Sequence, residues 1–174
     1  MILSADALLD IIKTHQQWAV VLVFALAFAE SLAFVSLLIP ATVILWGVGA
    51  LIGVADLEFW RLWFATALGA ILGDWVSYWF GLHYHEKIEK LWPINRYPHL
   101  IERAHGSFKR YGVVAVFGGR FIGPLRAFMP LVAGATMMPI MTFQLANTSS
   151  GLLWAGVTLA PGAFGADFIS NWLN

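Results

Sequence analysis

The chain has no cysteine in its 174 residues, which excludes a disulfide framework and thiolate metal ligands. It is also poor in charge. Only 11% of its residues are Asp, Glu, Lys or Arg, and ten basic side chains balance ten acidic ones. Without a basic excess there is no electrostatic footprint for nucleic acid. The N-terminal stretch Met1 to Gln17 carries Asp6, Asp10 and Lys13 and lacks the positive flank and small-residue cleavage site of a signal peptide. It reads as a short amphipathic segment, 1–17, with Leu8, Ile11 and Ile12 toward lipid. What is abundant is apolar surface: 60% hydrophobic residues, 15% aromatics and a mean hydropathy of +0.75. A soluble domain of this length does not carry that much, so the composition predicts an all-α integral membrane protein.

Two apolar blocks flank one polar connector. The first repeat is placed at 18–82, the connector at 83–112 and the second repeat at 113–174, all within one transmembrane domain. Trp18 to Val54 is too long for one crossing of about 20 residues, and it is punctuated by Pro40 and by Gly47, Gly49 and Gly53. This predicts one helix followed by a broken or re-entrant piece. Phe59 to Gly81 then reads as a spanning helix. The second block repeats the plan, with an interrupted Val113 to Met141 and a plainer span from Phe143 to about Phe164. Pro40 matches Pro124 at an offset of 84, Gly49-Ala50 matches Gly134-Ala135 at 85, Phe59 matches Phe143 at 84, and Gly69 matches Gly151 at 82. Two inverted repeats, each a hairpin plus a span, are the expected architecture, with chance matching among abundant apolar residues as the alternative.

Apart from Asp56, Glu58 and Arg61, which interrupt the first block between its two parts, four charges lie inside the apolar runs of the two blocks. Glu30 and Asp74 lie in the first, and Arg120 and Arg126 lie in Gly119-Arg120-Phe121-Ile122-Gly123-Pro124-Leu125-Arg126-Ala127-Phe128-Met129-Pro130 of the second. An arginine at mid-bilayer depth costs about 2.5–3.5 kcal/mol on insertion scales, so each needs a partner or a wet cavity. A lone carboxyl in such a place favours its neutral form. Convergence of all four would balance the charge, and that balance alone would suit a structural lock between the repeats. Six residues along a continuous helix would turn Arg120 and Arg126 to different faces. Gly123-Pro124 between them permits a break, because proline has no amide hydrogen and glycine accepts unusual dihedrals. Two guanidinium forks beside a helix break make a receptor for phosphate. Gly119, Gly123, Pro124, Pro130 and Gly134, with Pro40 in the first hairpin, are expected to shape the hairpins.

The connector holds Lys87, Lys90, Arg96, Arg103, Lys109 and Arg110 against Glu86, Glu89 and Glu102, a net of +3. Positive-inside reasoning puts it in the cytoplasm. His83, His85, His99 and His105 also lie there, but no clear ligand spacing supports a metal site, and no metal or cofactor is expected. Gly49/Gly53, Gly69/Gly73 and Gly119/Gly123 have the spacing of close helix approach. Trp18, Trp60, Trp63, Trp92 and Trp172 read as interfacial anchors.

Gly119-Arg120-Phe121, then Pro124, Arg126, Pro130 and Gly134, resemble the signature of the DedA family of bacterial membrane proteins, also described as SNARE-associated or VTT-domain proteins. The resemblance extends to Glu30, Leu38-Ile39-Pro40, Gly73-Asp74-Trp75-Val76-Ser77-Tyr78 and Ser150-Gly151-Leu152-Leu153-Trp154, so it covers nearly the whole chain. It implies a multi-pass protein of the bacterial inner membrane, not an enzyme, that flips a lipid carrier such as undecaprenyl phosphate, with the proton gradient as driving force. It also implies a membrane-embedded glutamate at Glu30 and two essential arginines at Arg120 and Arg126. Many members have an acid two positions after the proline of the first hairpin, where this chain has Thr42, which leaves Asp74 or Glu30 alone to carry the proton. Members commonly continue into a further apolar helix and a basic tail, whereas this sequence stops at Asn174.

The expected partners are therefore a phosphate-bearing membrane lipid and protons, with a homodimer as an open option. In the expected mechanism the arginines hold the phosphate while Glu30 and Asp74 alternate between pairing with them and carrying a proton. The alternatives are a proton-coupled small-ion antiporter, a phospholipid scramblase, a non-transporting scaffold, and a lipid phosphatase. The phosphatase would need a histidine near the arginines, and the nearest ones lie in the connector.

Overall fold

A computed structural model describes residues 16–33, 41–55, 57–84, 111–122 and 125–173. The N-terminal segment to residue 15, the turn containing Pro40, Gly123-Pro124 and the basic connector from residue 85 to 110 lie outside the described residues, and with them the readings made there. Every element described is a helix: α1 (Gln16–Ser31), α2 (Ala41–Ala55), α3 (Phe59–His83), α4 (111–119), α5 (Leu125–Ala135) and α6 (Ile140–Leu173).

Helix α1 begins at Gln16, α3 ends at His83 and α4 begins at 111, the last two within the stretch read as connector, and α6 begins earlier than expected and runs on past Phe164 with Pro161 inside it. No described helix is both long and apolar enough to cross a membrane. The reason differs between helices. The most apolar, α2, has 15 residues and reaches only about 22 Å at 1.5 Å per residue, short of a hydrocarbon core of about 30 Å. The long helices α3 and α6 are diluted by polar side chains, Asp74 and Ser77 on α3 and Gln144, Asn147, Ser149 and Ser150 on α6.

The packing is built on close backbone crossings. Helix α3 packs against α1, α5 and α6, and α2 packs on α6. A Cβ added at Gly69 or Gly73 would run into the backbone of Phe24 or Phe28 on α1, so this glycine pair does let two helices approach. Two further crossings are reciprocal. Gly81 of α3 faces the Leu131 carbonyl of α5, and Gly134 of α5 faces the Tyr78 carbonyl of α3; likewise Gly49 of α2 faces the Leu159 backbone of α6, and Gly162 of α6 faces that of Ala50. Helices α2 and α5 thus each rest on the long helix of the other half of the chain.

Two apolar cores result. One gathers Val23, Leu45, Ile52, Leu62, Ala70, Trp154 and Leu159; the other gathers Tyr78, Val116, Ala133, Met138, Phe143 and Ala146. In the second, Tyr78 stacks on Phe143 with ring centroids 4.3 Å apart and donates its hydroxyl to the Met138 carbonyl at 2.5 Å. Helix α3 passes from the first core to the second and α6 returns, so both cross the gap between them. Asp74 on α3 and Asn147 and Ser150 on α6 fall in that gap.

The end of α5 is a Schellman motif. Met137 N–H reaches the Gly134 carbonyl at 2.9 Å and Met138 N–H the Ala133 carbonyl at 3.1 Å, which requires the left-handed conformation at Met137, φ 55°. Glycine normally takes that position without strain. Met137→Gly should therefore raise stability by about 1 kcal/mol, read as a higher melting temperature in detergent; an unchanged or lower value would contradict the strain.

Candidate functional site

Arg120 directly follows helix α4, ahead of the restart of the chain as α5. Helix α4 stops at residue 119, and Phe121 and Ile122 N–H groups close tight turns onto the carbonyls of Gly118 and Gly119 at 3.1 and 3.2 Å. Gly119 allows Met129 of α5 to pack against it, since a Cβ there would come within 2.6 Å of Met129 Cγ. Helix α5 then restarts, with Arg126 N–H on the Ile122 carbonyl at 3.3 Å. Pro130 lies inside α5. It offers no N–H to the Arg126 carbonyl one turn back, so that carbonyl lacks its usual helical donor.

The break brings the two arginines into one place. Arg120 Nη1 lies 2.7 Å from Asp74 Oδ2, and Arg126 Nη1 lies 3.2 Å from Glu30 Oε1. Glu30, Asp74 and Arg120 are buried, and Arg126 is partly buried, with its side chain 12% exposed. Arg126 also interacts electrostatically with Arg120 and Asp74, so the two pairs form one cluster. The four charges singled out in the sequence are thus assembled, with the pairing Arg120 to Asp74 and Arg126 to Glu30.

The pairs differ in their surroundings. Arg120 Nη1 also reaches Asn147 Oδ1 at 3.0 Å, Ser150 Oγ at 3.3 Å and the Asn147 carbonyl at 3.4 Å. Asn147 is itself fixed, donating Nδ2–H to the Ile71 carbonyl at 3.0 Å. Glu30, by contrast, uses only Oε1, which accepts from Arg126 and from the Thr42 hydroxyl. Its Oε2 has no partner among the described residues. Thr42, the position where an acid was expected by resemblance, is therefore a neutral donor to Glu30.

The donors left over matter most. Arg120 Nε and Nη2 and Arg126 Nη2 are buried with no hydrogen-bond partner among the described residues. Nε and Nη2 form the side-on fork of a guanidinium, the edge that grips two oxygens of one anion. A buried charged donor without an acceptor is costly, so these three call for acceptors that the described residues do not supply.

Sequence reasoning passed over Asn147, Ser150 and Trp154 as site residues. They lie at intervals of three and four on α6, one helical face, and that spacing was the available signal. Gly151 lies on the same face, where an added Cβ would crowd Ile71 Cγ1 at 2.8 Å and would only touch the Arg120 guanidinium, at 3.6 Å from its Cζ. Trp154 is aromatic and buried, so its spacing alone reads as core.

Residues 39–164 match the VTT domain family. The chain is 37% identical over 144 residues to the inner membrane protein YabI of Escherichia coli, covering 83% of this chain and 56% of that protein. It is 32% identical to an uncharacterized membrane protein of Buchnera aphidicola, covering 89% of this chain and 62% of the relative, and 32% identical to the inner membrane protein YghB of Escherichia coli, covering 80% and 64%. The chain thus spans about three fifths of the length of these curated relatives. No solved structure matches. The membrane character read from composition, which no single helix establishes, agrees with the names of these relatives, and the chain belongs to the DedA family of VTT-domain membrane proteins.

Proposed function

We propose that this protein is a transporter that moves a phosphate-bearing lipid carrier of the undecaprenyl phosphate kind across the bacterial inner membrane, coupled to protons. The observation that carries the reading is the set of three guanidinium nitrogens without a partner among the described residues, in a cluster that is already charge-balanced. A tetrahedral phosphate would take the Arg120 fork with two oxygens and Arg126 Nη2 with a third. Two arginines and two carboxylates sum to zero, so an added anion leaves the cluster negative unless a carboxylate gains a proton. Glu30 is the better placed of the two acids, since Oε2 is free to take that proton and Arg126 is then released toward phosphate. The hairpins would be re-entrant halves of an inverted repeat, the reciprocal glycine crossings would join them, and the basic connector would face the cytoplasm.

The test is flipping of a fluorescently labelled prenyl phosphate in proteoliposomes under an imposed pH gradient. Arg126→Ala should slow flipping roughly 10- to 100-fold, the loss of one charge-assisted anchor. If Arg126→Ala flips the lipid at the wild-type rate while Glu30→Gln abolishes a pH-driven cation flux, the protein is an ion antiporter and the lipid reading falls.

A further inference from the structure

The two guanidinium groups share a neighbour that carries no charge and accepts none of their hydrogen bonds. Trp154, 5% exposed, presents its ring 4.4 Å from Arg126 Cζ and 5.8 Å from Arg120 Cζ. Both distances fall within cation–π reach, about 6 Å. A carboxylate or carbonyl holds a guanidinium by occupying its N–H groups, and each such contact removes a donor from the ligand. An aromatic face attracts the same cation through its quadrupole and leaves the in-plane N–H groups open. That difference matters for Arg126, whose other described anchor is the single contact to Glu30, the contact the transport cycle has to break. Without a second hold, an arginine released from its acid would swing away from the site.

We infer that Trp154 is a positioning residue: its ring keeps Arg126, and with it the free edge of Arg120, aimed at the anion when Glu30 lets go. This rests on the phosphate reading above and adds the group that preorganises the receptor. Its seat on α6 supports the role, because Trp154 is one helical turn beyond Ser150 and two beyond Asn147, the residues that hold Arg120 from the same face. Trp154 itself belongs to the first apolar core, so the ring has a fixed backing.

Aromatic and aliphatic replacements separate this role from packing. In purified full-length protein in detergent, dodecyl phosphate should bind Trp154→Phe within about threefold of wild type and Trp154→Leu about tenfold more weakly, with similar melting temperatures. Trp154→Met takes the place of the leucine variant if that one fails to fold. A second readout needs no ligand: in protein labelled with 15N-arginine, the side-chain signals of Arg126 should carry a ring-current shift that persists in Trp154→Phe and vanishes in the aliphatic variant. Equal binding by the aromatic and aliphatic variants, or Arg126 signals that do not respond to loss of the ring, would overturn the inference. Failure of wild-type protein to bind dodecyl phosphate, with the ring-current shift intact, would overturn the phosphate reading and leave the positioning of Arg126 standing.

Discussion

Asp74→Leu should be among the most damaging single substitutions in this protein, lowering its stability by about 3–5 kcal/mol. The argument is one of stranding. Arg120 Nη1 has one charged partner at 2.7 Å, and the other acceptors around it are neutral. With Asp74 gone, a buried guanidinium keeps its full desolvation cost and loses the attraction that offset it. Removing both charges together is different, because an apolar pair of similar bulk costs little compared with a buried ion pair. Asp74→Leu combined with Arg120→Met should therefore recover most of the lost stability while leaving lipid flipping abolished. Thermal unfolding followed by size-exclusion chromatography in detergent reads the first effect, and the proteoliposome assay reads the second. A single variant as stable as wild type would show that the pair does not hold the fold. Glu30→Gln should cost less, since an amide oxygen still accepts from Thr42 and Arg126 still has the Trp154 ring.

The second large effect lies away from the charges. Gly134→Val should leave little folded protein, and Gly134→Ala should cost about 3 kcal/mol. A Cβ at Gly134 would collide with the Tyr78 carbonyl oxygen and come within 2.7 Å of Leu82 N, both backbone atoms of α3. Backbone cannot swing aside as a side chain does, so α5 and α3 would have to separate along the crossing. That separation also tilts the helix that carries Arg126. Gly47 is the internal control, because a Cβ there meets nothing within 4 Å and Gly47→Ala should be neutral or slightly stabilising. Yield and melting temperature of the three variants, measured side by side, check the contrast; equal behaviour of Gly134→Ala and Gly47→Ala would rule out the close crossing.

The parts of the site that were legible in sequence were those that violate their surroundings. Glu30, Asp74, Arg120 and Arg126 stand out because each is costly within an apolar run, and Gly123-Pro124 stands out because it forbids a regular helix. The helix extents were legible for the same reason, since prolines, glycines and polar residues mark where apolar runs stop. Which acid meets which arginine was not, because it depends on how α1 and α3 pack against the segment from Arg120 into α5, and that packing is decided by contacts between distant segments. Thr42 shows the limit clearly: its hydroxyl is ordinary in sequence and becomes a partner of Glu30 only once α2 lies beside the end of α1. Glycines were read in pairs along one helix, which holds for Gly69 and Gly73 against α1. Gly81 with Gly134, and Gly49 with Gly162, act in pairs across two helices, and no local spacing reports that.

Those reciprocal crossings have a consequence for how the chain acquires its structure. Helix α2 is made before the connector yet rests on α6, and α5 is made after it yet rests on α3. During synthesis the first half must wait, with the α2 surface uncovered, until α6 is complete. Contacts of such long sequence separation form late and slowly. Cutting the chain within the connector should therefore yield two fragments that are each incomplete but complement one another when expressed together, so that the smallest unit able to fold is the interlocked pair of halves.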